Sequence, residues 1–294
     1  MLSASVIFSA LITGIGLGSM YGLLALGFYV TYSVSQTVNF AQGAAMMLGA
    51  VVCFTFVQTL GWPMAVAIVI ALVACAVWGL IVERWVVRPF ASRGSSAWLM
   101  ATVAAGIVLE NVVLFTFGKE PRRLLSPLVR EPILIGDLGV YPQQILIPVV
   151  GLAIAIALYF VAKHTQLGKS QLAVVQNPDA ARLVGINVTR AVVGAYAVSG
   201  VFAGIAGVVI APLFNVSADM GTLFGVKAFA VAILGGIMSP WGVMVAGLVY
   251  GIAEALVTAI FGSPYTQIVI FTLIIIALAA MPDGLFGKAA VKKV

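Results

Sequence analysis

Long runs of apolar side chains, interrupted by few charges, constrain this chain more than any other feature of its sequence. A helix needs about 20 apolar residues to cross the hydrocarbon core of a bilayer, because each residue adds about 1.5 Å. Of the 294 residues, 63% are hydrophobic and only 8% are charged, whereas soluble domains carry about 25% charged residues. So few charges cannot cover a water-exposed surface, and an all-α polytopic membrane protein is predicted.

About nine apolar segments can be marked on that scale, and counts from eight to ten also fit the pattern. The seventh is too short to span alone, contains Gly235 and Gly236 and ends at Ser239–Pro240. It is predicted to be a half-helix or one arm of a broken, re-entrant pair. Residues 1–294 are treated as one transmembrane domain. The predicted segments are 6–31, 40–60, 64–82, 98–117, 144–162, 191–213, 226–238, 241–261 and 265–281.

The positions of Lys and Arg predict the orientation, because cytoplasmic loops of membrane proteins are enriched in these residues. Ten of the fifteen basic residues lie at 83–97, at 163–190 and in the tail after 281, which holds Lys288, Lys292 and Lys293. The segment count puts all three regions on one side. We therefore expect a multi-pass protein of the bacterial inner membrane, with its N-terminus outside and its C-terminus in the cytoplasm. The loop 118–142 is predicted to be periplasmic.

Sequence patterns of soluble enzymes and of nucleotide sites are missing or incomplete. His164 is the only histidine, so a metal site is not expected. The string at 163–170 ends like a phosphate-binding loop but lacks its leading Gly, and the string at 14–19 lacks the third Gly of a dinucleotide fingerprint. The basic residues form no run that would suggest nucleic acid. The chain is therefore not predicted to be an enzyme, to hold a cofactor or to hydrolyse ATP.

Residues 31–43, TYSVSQTVNFAQG, interrupt the apolar pattern with polar and small side chains. Unwound backbone at membrane depth is tolerated only against protein or a water-lined cavity. Gln36, Asn39 and Gln42 would supply amide groups there, and the following half-helix would point its free N–H groups at the same place. A re-entrant turn that lines a translocation path is one interpretation. A simple aqueous loop between two spans is the other.

The stretch 163–190 is basic, too long for a tight connection and carries a helical pattern of its own. Asn177–Pro178–Asp179 is typical of a capped helix start, and Gly185 can end the same helix. A short amphipathic helix on the cytoplasmic side has the form of a docking element. An interfacial helix lying on lipid headgroups is the alternative. The small apolar face predicted for this helix consists of Ala180, Ala181, Leu183 and Val184.

Acidic residues inside predicted spans are costly and usually face the protein interior or a water-filled cavity. Glu254 shares a helical stripe with Gly247 and Gly251, so a structural hydrogen bond is the favoured interpretation. Glu110 lies near the outer end of its span, and its role is left open. The glycine spacings Gly14/Gly18/Gly22, Gly200/Gly204 and Gly247/Gly251 predict closely packed helices.

Three stretches together resemble the LivH-type permease of branched-chain amino acid ABC importers. They are YGLLALGFYVTYSVSQTVNFAQGAAMMLGA (21–50), NPDAARLVGINVTRAVVGAYAVSGVFAGIAGVV (177–209) and KAFAVAILGGIMSPWGVMVAGLVYGIAEAL (227–256). The resemblance implies an ABC importer permease fold and a heterodimeric pore with a second, LivM-like permease. It also implies two cytoplasmic ATPases that bind ATP and Mg²⁺, and a periplasmic binding protein. Urea, short amides and aromatic acids are further cargoes of the family.

The resemblance also implies site residues. The stretch 177–190 would be the coupling loop that inserts into an ATPase groove. The substrate path would pass Gln36, Asn39 and Gln42, facing Gly235 and Gly236 in the broken region 234–242. Gln42 departs from the family pattern, which often has His there, and Gln cannot take a positive charge. The alternative function is a stand-alone secondary transporter or channel. The coupling residues implied are Asp179, Ala180, Ala181, Arg182, Gly185 and Asn187.

Overall fold

A computed structural model describes residues 4–135, 138–281 and 284–286, and these form a bundle of membrane-length helices. Eight helices of this part are long and apolar enough to cross a bilayer, and one shorter apolar helix lies before the seventh of them. The helices are α1 (Ala4–Ser35), α2 (Gln42–Phe54), α3 (Met64–Ile81), α4 (Arg88–Ala91), α5 (Trp98–Phe117), α6 (Pro142–His164), α7 (Gln166–Gln176), α8 (Pro178–Leu183), α9 (Val188–Ile210), α10 (Met220–Leu234), α11 (Pro240–Phe261) and α12 (Ser263–Ala280). Helix α2 continues as a π-helical turn, Thr55–Thr59, and a second, Val82–Val87, joins α3 to α4.

The predicted segments all correspond to helices, but three of their boundaries are wrong by four residues or more. One of them is the end of the seventh segment, since α10 ends at Leu234 and not at residue 238. Helix α1 runs to Ser35 and not to residue 31. The Thr31 and Ser35 hydroxyls donate to backbone carbonyls one turn earlier, so these polar side chains find partners without the helix unwinding. The short helix α10 begins at Met220 and not at 226. Lys227 lowers the apolar signal of that segment, yet its side chain is buried and paired.

Glycines of α1 and α11 form the predicted close-packed seam. The two helices run antiparallel, with Gly14 against Ile252 and Gly18 against Gly247. A methyl group on Gly18 would lie 2.6 Å from the Gly247 carbonyl oxygen. Because that oxygen belongs to the backbone, the two helices would have to move apart to remove the clash. The absence of side chains at this seam lets the two helix backbones approach, which favours association inside lipid.

Helix α9 lies in the centre of the bundle and packs closely against α2 and α3. A methyl group on Gly204 would meet the Cys75 side chain of α3 at 2.9 Å. One on Gly49 of α2 would meet the Cα of Gly204 at 2.7 Å. The predicted Gly200/Gly204 spacing therefore marks a real contact surface, which fixes the position of the polar residues that α9 brings to the break after α1.

The connection between α5 and α6, predicted as a periplasmic loop at 118–142, contains a small antiparallel hairpin. Its strands are β1 (Ile133–Ile135) and β2 (Leu138–Val140), with Leu134 opposite Gly139. Arg122 and Val216 exchange two backbone hydrogen bonds, which ties this loop to the connection between α9 and α10. The tail residues Lys288, Lys292 and Lys293, used to predict orientation, lie outside the described residues.

Candidate functional site

The break between α1 and α2 consists of residues 36–41 and is shorter than the sequence predicted. Gln36 has a φ of 55°, so the chain leaves the α1 axis there through the left-handed region. Thr37 then shares a hydrogen bond of 2.7 Å with the Tyr196 hydroxyl of α9. The Asn39 carboxamide oxygen accepts from the Ala41 amide at 3.1 Å. The break is thus a turn held by side-chain hydrogen bonds, within itself and to α9.

Gln42, the first residue of α2, is sealed inside the bundle by Ser199 of α9. The Gln42 amide nitrogen donates to the Ser199 carbonyl oxygen at 3.0 Å, and the Ser199 hydroxyl donates to the Gln42 oxygen at 2.8 Å. The same hydroxyl lies 2.9 Å from the Gly27 carbonyl oxygen of α1. Gln42 has no exposed surface. Both polar atoms of the Gln42 amide therefore have a partner on α9, and the Ser199 hydroxyl extends the contact to α1.

The five predicted path residues differ in their access to the surface. Gln36 is exposed, Asn39 is 2% exposed, and Gln42, Gly235 and Gly236 are buried. Only Gln36 therefore presents its side chain on the surface of the described chain. That the other four residues line a path stays a prediction. In the structure they lie at two interruptions in the helices.

The second interruption is the turn between α10 and α11. Gly236 has a φ of 77°, which favours glycine, and Ser239 caps α11 by accepting from the Gly242 amide at 3.1 Å. A methyl group on Gly235 would lie 2.6 Å from the Gly242 carbonyl oxygen. Leu285 donates its amide to the Leu234 carbonyl oxygen at 2.7 Å, so residues 284–286 pack beneath this turn.

Phe229 links the break after α1 to α10, the helix that ends at the Gly235–Gly236 turn. Its ring centroid lies 4.8 Å from that of Phe40 in the break and 5.6 Å from that of Phe28 in α1. Phe229 and Phe40 are both half-buried. Aromatic pairs at such separations stabilise a contact by more than the burial of their apolar area alone. The contact between Phe229 and Phe40 therefore holds the break against the short helix α10. Gln36 lies on the same break.

A buried ion pair joins α10 to α11. The Lys227 ammonium donates to a carboxylate oxygen of Glu254 at 2.5 Å, and both side chains are at most 10% exposed. The Lys227 ammonium also lies 5.8 Å from the centre of the Tyr21 ring. The predicted structural bond of Glu254 is confirmed. The second carboxylate oxygen and the nearby Tyr250 hydroxyl have no hydrogen-bond partner within the described part of the chain.

The stretch 163–190 contains two short helices, α7 and α8, where one was predicted. Asn177 caps α8 as expected, since its side chain accepts from the Asp179 and Ala180 amides at 3.0 Å. Gly185 has a φ of 82° and follows the end of α8. Asn187 caps α9 by accepting from the Arg190 amide at 3.0 Å. The element therefore leads through one short capped turn into α9, the central helix of the bundle.

The exposed face of α8 differs from the predicted one. Ala181 is only 3% exposed and packs into the chain, so it cannot form the surface that a partner would touch. Leu183 and Val184 are 90% and 75% exposed, and they carry the apolar part of the free surface. Arg182 forms an ion pair with Asp179 at 3.1 Å, and both side chains are exposed to solvent. The docking surface predicted here thus consists of bulky apolar side chains beside one surface ion pair.

Three residues of the site were missed by reasoning from the sequence. Ser199 and Tyr196 hold the break from α9, and Thr102 of α5 accepts the Phe40 amide at 3.3 Å. Each is a polar side chain inside a mainly apolar helix, which is the only sequence signal they carry. Their partners lie 62 to 159 positions away along the chain, so pairing could not be deduced from spacing.

Comparison with known proteins decides the family. The sequence profile described as the branched-chain amino acid transport system permease component matches residues 10–278. The chain belongs to this family. The permease is therefore the membrane component of an ABC import system, and ATP hydrolysis belongs to separate subunits. The predicted family and the polytopic α-helical fold are confirmed.

Relatives of the permease match along nearly its whole length. It is 31% identical to the high-affinity branched-chain amino acid transport system permease protein LivH of Escherichia coli K12, covering 96% of each chain. It is 28% identical to the corresponding protein BraD of Pseudomonas aeruginosa, covering 97% of each. Among solved structures, PsaBC from Streptococcus pneumoniae in complex with Fab matches with a TM-score of 0.51. That match covers 92% of the permease and 90% of the other chain at 13% identity, so it supports the fold alone.

Proposed function

We propose that the permease carries branched-chain amino acids into the cell by alternating access, as half of a heterodimeric pore with a second, LivM-like permease. The names of its full-length relatives support this cargo. A periplasmic binding protein delivers the cargo to the outer face, near 118–142 and 214–225. Two cytoplasmic ATPases, which bind ATP and Mg²⁺, drive the cycle from the other side.

The proposed orientation places the N-terminus outside and the C-terminus inside. Alternating passes of the eight long helices and α10 then bring residues 163–190 and the turn at Gly235–Gly236 to the cytoplasmic half. The antiparallel seam between α1 and α11 supports this alternation, since Gly14 of α1 meets Ile252 of α11, whereas Gly18, later in α1, meets Gly247, earlier in α11. The basic residues of 163–190 then face the cytoplasm, as the distribution of positive charge demands.

The contact of Phe229 with the break after α1, from the short helix α10 that leads to the second interruption, is the single observation that carries the proposed path. Interrupted helices at membrane depth occur where backbone is buried in protein or lines a water-filled cavity. Gln36 and the half-buried rings of Phe40 and Phe229 face the cargo in this proposal. The buried residues Asn39, Gln42, Gly235 and Gly236 hold the turns that make those groups available.

Coupling to the ATPases is proposed at residues 177–187. The exposed Leu183 and Val184 enter a groove of the ATPase, while Asp179, Ala180 and Arg182 form the polar and small rim. Ala181 anchors α8 to the bundle, and Gly185 and Asn187 pass movement to α9. Rigid caps at both ends of this element support the transmission of force to Ser199, which lies on α9 and holds the break.

Co-purification of the assembled importer tests this proposal. Leu183→Glu puts a charge on the most exposed apolar residue of α8, so we expect loss of the ATPase from the complex and loss of uptake. Leu167→Glu on α7 is the matched control, because Leu167 is 79% exposed on the same cytoplasmic element but outside α8. Normal ATPase association and normal leucine uptake in Leu183→Glu would refute coupling at α8.

The alternative, a stand-alone secondary transporter, requires ion coupling through intramembrane charges. Lys227 and Glu254 are such charges, but they neutralise each other in the interior of the bundle. Leucine uptake by the permease alone, in vesicles with an ion gradient and without ATPase subunits, would favour this alternative.

A further inference from the structure

Glu110 of α5 occupies an unusual place, because it lies at membrane depth on the outside of the bundle. It precedes Phe117, the last residue of α5, by seven positions, which puts it about 10 Å inside that end of the helix. Its side chain is half-buried, and the neighbouring Asn111 and Ile107 are exposed. A carboxylate facing lipid at such depth costs a few kcal/mol by insertion scales. Something other than lipid must therefore cover it in the assembled protein.

The only hydrogen bond that Glu110 makes within the described residues is to Thr222 of α10. The Thr222 hydroxyl donates to the carboxylate at 2.6 Å, and Thr222 is itself exposed. None of the ion pairs in the described part of the chain includes Glu110. A hydroxyl leaves most of the acceptor capacity of a carboxylate unused. The negative charge thus calls for a cation or further donors from outside this chain.

A continuous exposed stripe of α10 begins beside Glu110. Residues three or four apart share one face of a helix, and every member of this set is exposed or half-buried. The stripe ends near the turn at Gly235 and includes Phe229, which contacts Phe40 in the break. Hence the surface around Glu110 continues into the proposed substrate path. The α10 stripe consists of Thr222, Val226, Phe229 and Ile233.

We propose that the outer part of the α10 stripe, together with Glu110, is the surface on which the second permease subunit packs, and that this subunit brings a Lys, an Arg or an amide donor to the Glu110 carboxylate. This rests on the proposed heterodimeric importer. Charge complementarity selects the occupant, because lipid acyl chains offer neither charge nor hydrogen-bond donors. An intersubunit contact of this kind also fixes the register of the two subunits, because a desolvated carboxylate is stable only opposite a cation or a hydrogen-bond donor.

Site-specific photo-crosslinking in the fully assembled, membrane-embedded importer tests this surface. A photoreactive phenylalanine analogue replaces Ile107, one turn from Glu110 on α5, or Val226, one turn from Thr222 on α10; these residues are 54% and 50% exposed. Val108 is the matched control, because it is 61% exposed and lies about 200° around helix α5 from Glu110. We expect adducts to the second permease at Ile107 and Val226, and only lipid adducts at Val108.

Charge variants of Glu110 supply an independent readout. Glu110→Lys is expected to reduce association of the two permease subunits about tenfold or more, because like or unmatched charges across an interface cost several kcal/mol. Glu110→Gln keeps the shape and some hydrogen bonding, so it should retain part of the association. Val108→Lys, on the side of α5 away from Glu110, serves to separate a general insertion defect from loss of the subunit contact.

Several outcomes would overturn the proposed surface. Lipid adducts alone at Ile107 and Val226 would show that lipid covers it. Adducts to another copy of this chain would assign it to a homodimer, and labelling there by a water-soluble reagent without any protein adduct would assign it to an open aqueous path. Uptake and ATPase association are measured in the same preparation. Their persistence limits the failure to this surface, whereas their absence would contradict the proposed function.

Discussion

Lys227 of α10 and Glu254 of α11 form an ion pair of 2.5 Å in the interior of the bundle. The two residues belong to helices separated by the Gly235–Gly236 turn, and their side chains are only 7% and 10% exposed. Each charge would be costly at this depth without the other. The pair therefore selects one placement of the short helix α10 against its neighbours, and α10 is the helix that carries Phe229 and the proposed path.

Removal of one charge from this pair should be far more damaging than removal of both. Lys227→Met leaves a buried, uncompensated carboxylate, so we expect a loss of stability of about 3 to 5 kcal/mol. The double variant Lys227→Met with Glu254→Leu should recover most of that loss. Unfolding of the purified permease in detergent measures both. Lys163→Met is the control, because Lys163 is exposed. Equal stability of Lys227→Met and the unsubstituted protein would contradict the pairing.

The glycine seam between α1 and α11 predicts that alanine substitution at two glycines of α1 changes the stability of the fold by different amounts. A methyl group on Gly18 would lie 2.6 Å from the Gly247 backbone oxygen, whereas one on Gly16 would meet its nearest atom, the Gln144 carbonyl oxygen, at 3.5 Å. Gly18→Ala should destabilise the fold by about 1 to 3 kcal/mol through overpacking. Gly16→Ala should be neutral or slightly stabilising. The order of the two melting temperatures checks this, and a reversed order would refute the seam.

The bond between Gln42 and Ser199 predicts that a hydroxyl deep in α9 supports the break after α1. Ser199→Ala leaves the Gln42 oxygen buried without its donor, which should cost about 1 to 3 kcal/mol. Gln42→Ala should not be additive with it, since the two side chains form one unit. A double-mutant cycle on thermal unfolding measures the coupling. Gln166→Ala, at an exposed position of α7, is the control. Strict additivity would show that the bond does not contribute.

Position 185 is predicted to require a residue that tolerates left-handed backbone, and not a small side chain. Its φ is 82°, yet no atom lies within 4 Å of the position that a Cβ would occupy. Gly185→Asn should therefore retain ATPase association and uptake, because Asn tolerates left-handed backbone, whereas Gly185→Val should lose both. Both variants add bulk at an open position. Equal activity of the two variants would show that the turn after α8 is not constrained in the working importer.

Much of the fold follows from local patterns in the sequence. The apolar segments, the cap at Asn177, the end of α8 at Gly185 and the glycine spacing of α1 all report on neighbouring residues. Such features follow from helix geometry alone, so they can be predicted from one sequence. The family resemblance supplied the function, which no pattern of spacing on its own contains.

The features that escaped prediction depend on contacts between distant residues. Helix α1 extends to Ser35 because hydroxyls return to its own backbone, a choice that polar composition does not reveal. Gln42 is sealed because Ser199, 157 positions away, lies opposite it. Ala181 faces inward because α8 packs on the bundle. In each case the packing of whole helices decides which side of a residue meets solvent.

ATP-dependent uptake of leucine into proteoliposomes tests the central claim most directly. The permease is reconstituted with its second permease, its ATPases and its binding protein, and in parallel alone with an imposed ion gradient. We predict uptake only in the complete assembly with ATP, and its loss in Leu183→Glu. Uptake by the isolated permease driven by the ion gradient, or ATP-driven uptake that is unaffected by Leu183→Glu, would contradict an importer powered through α8.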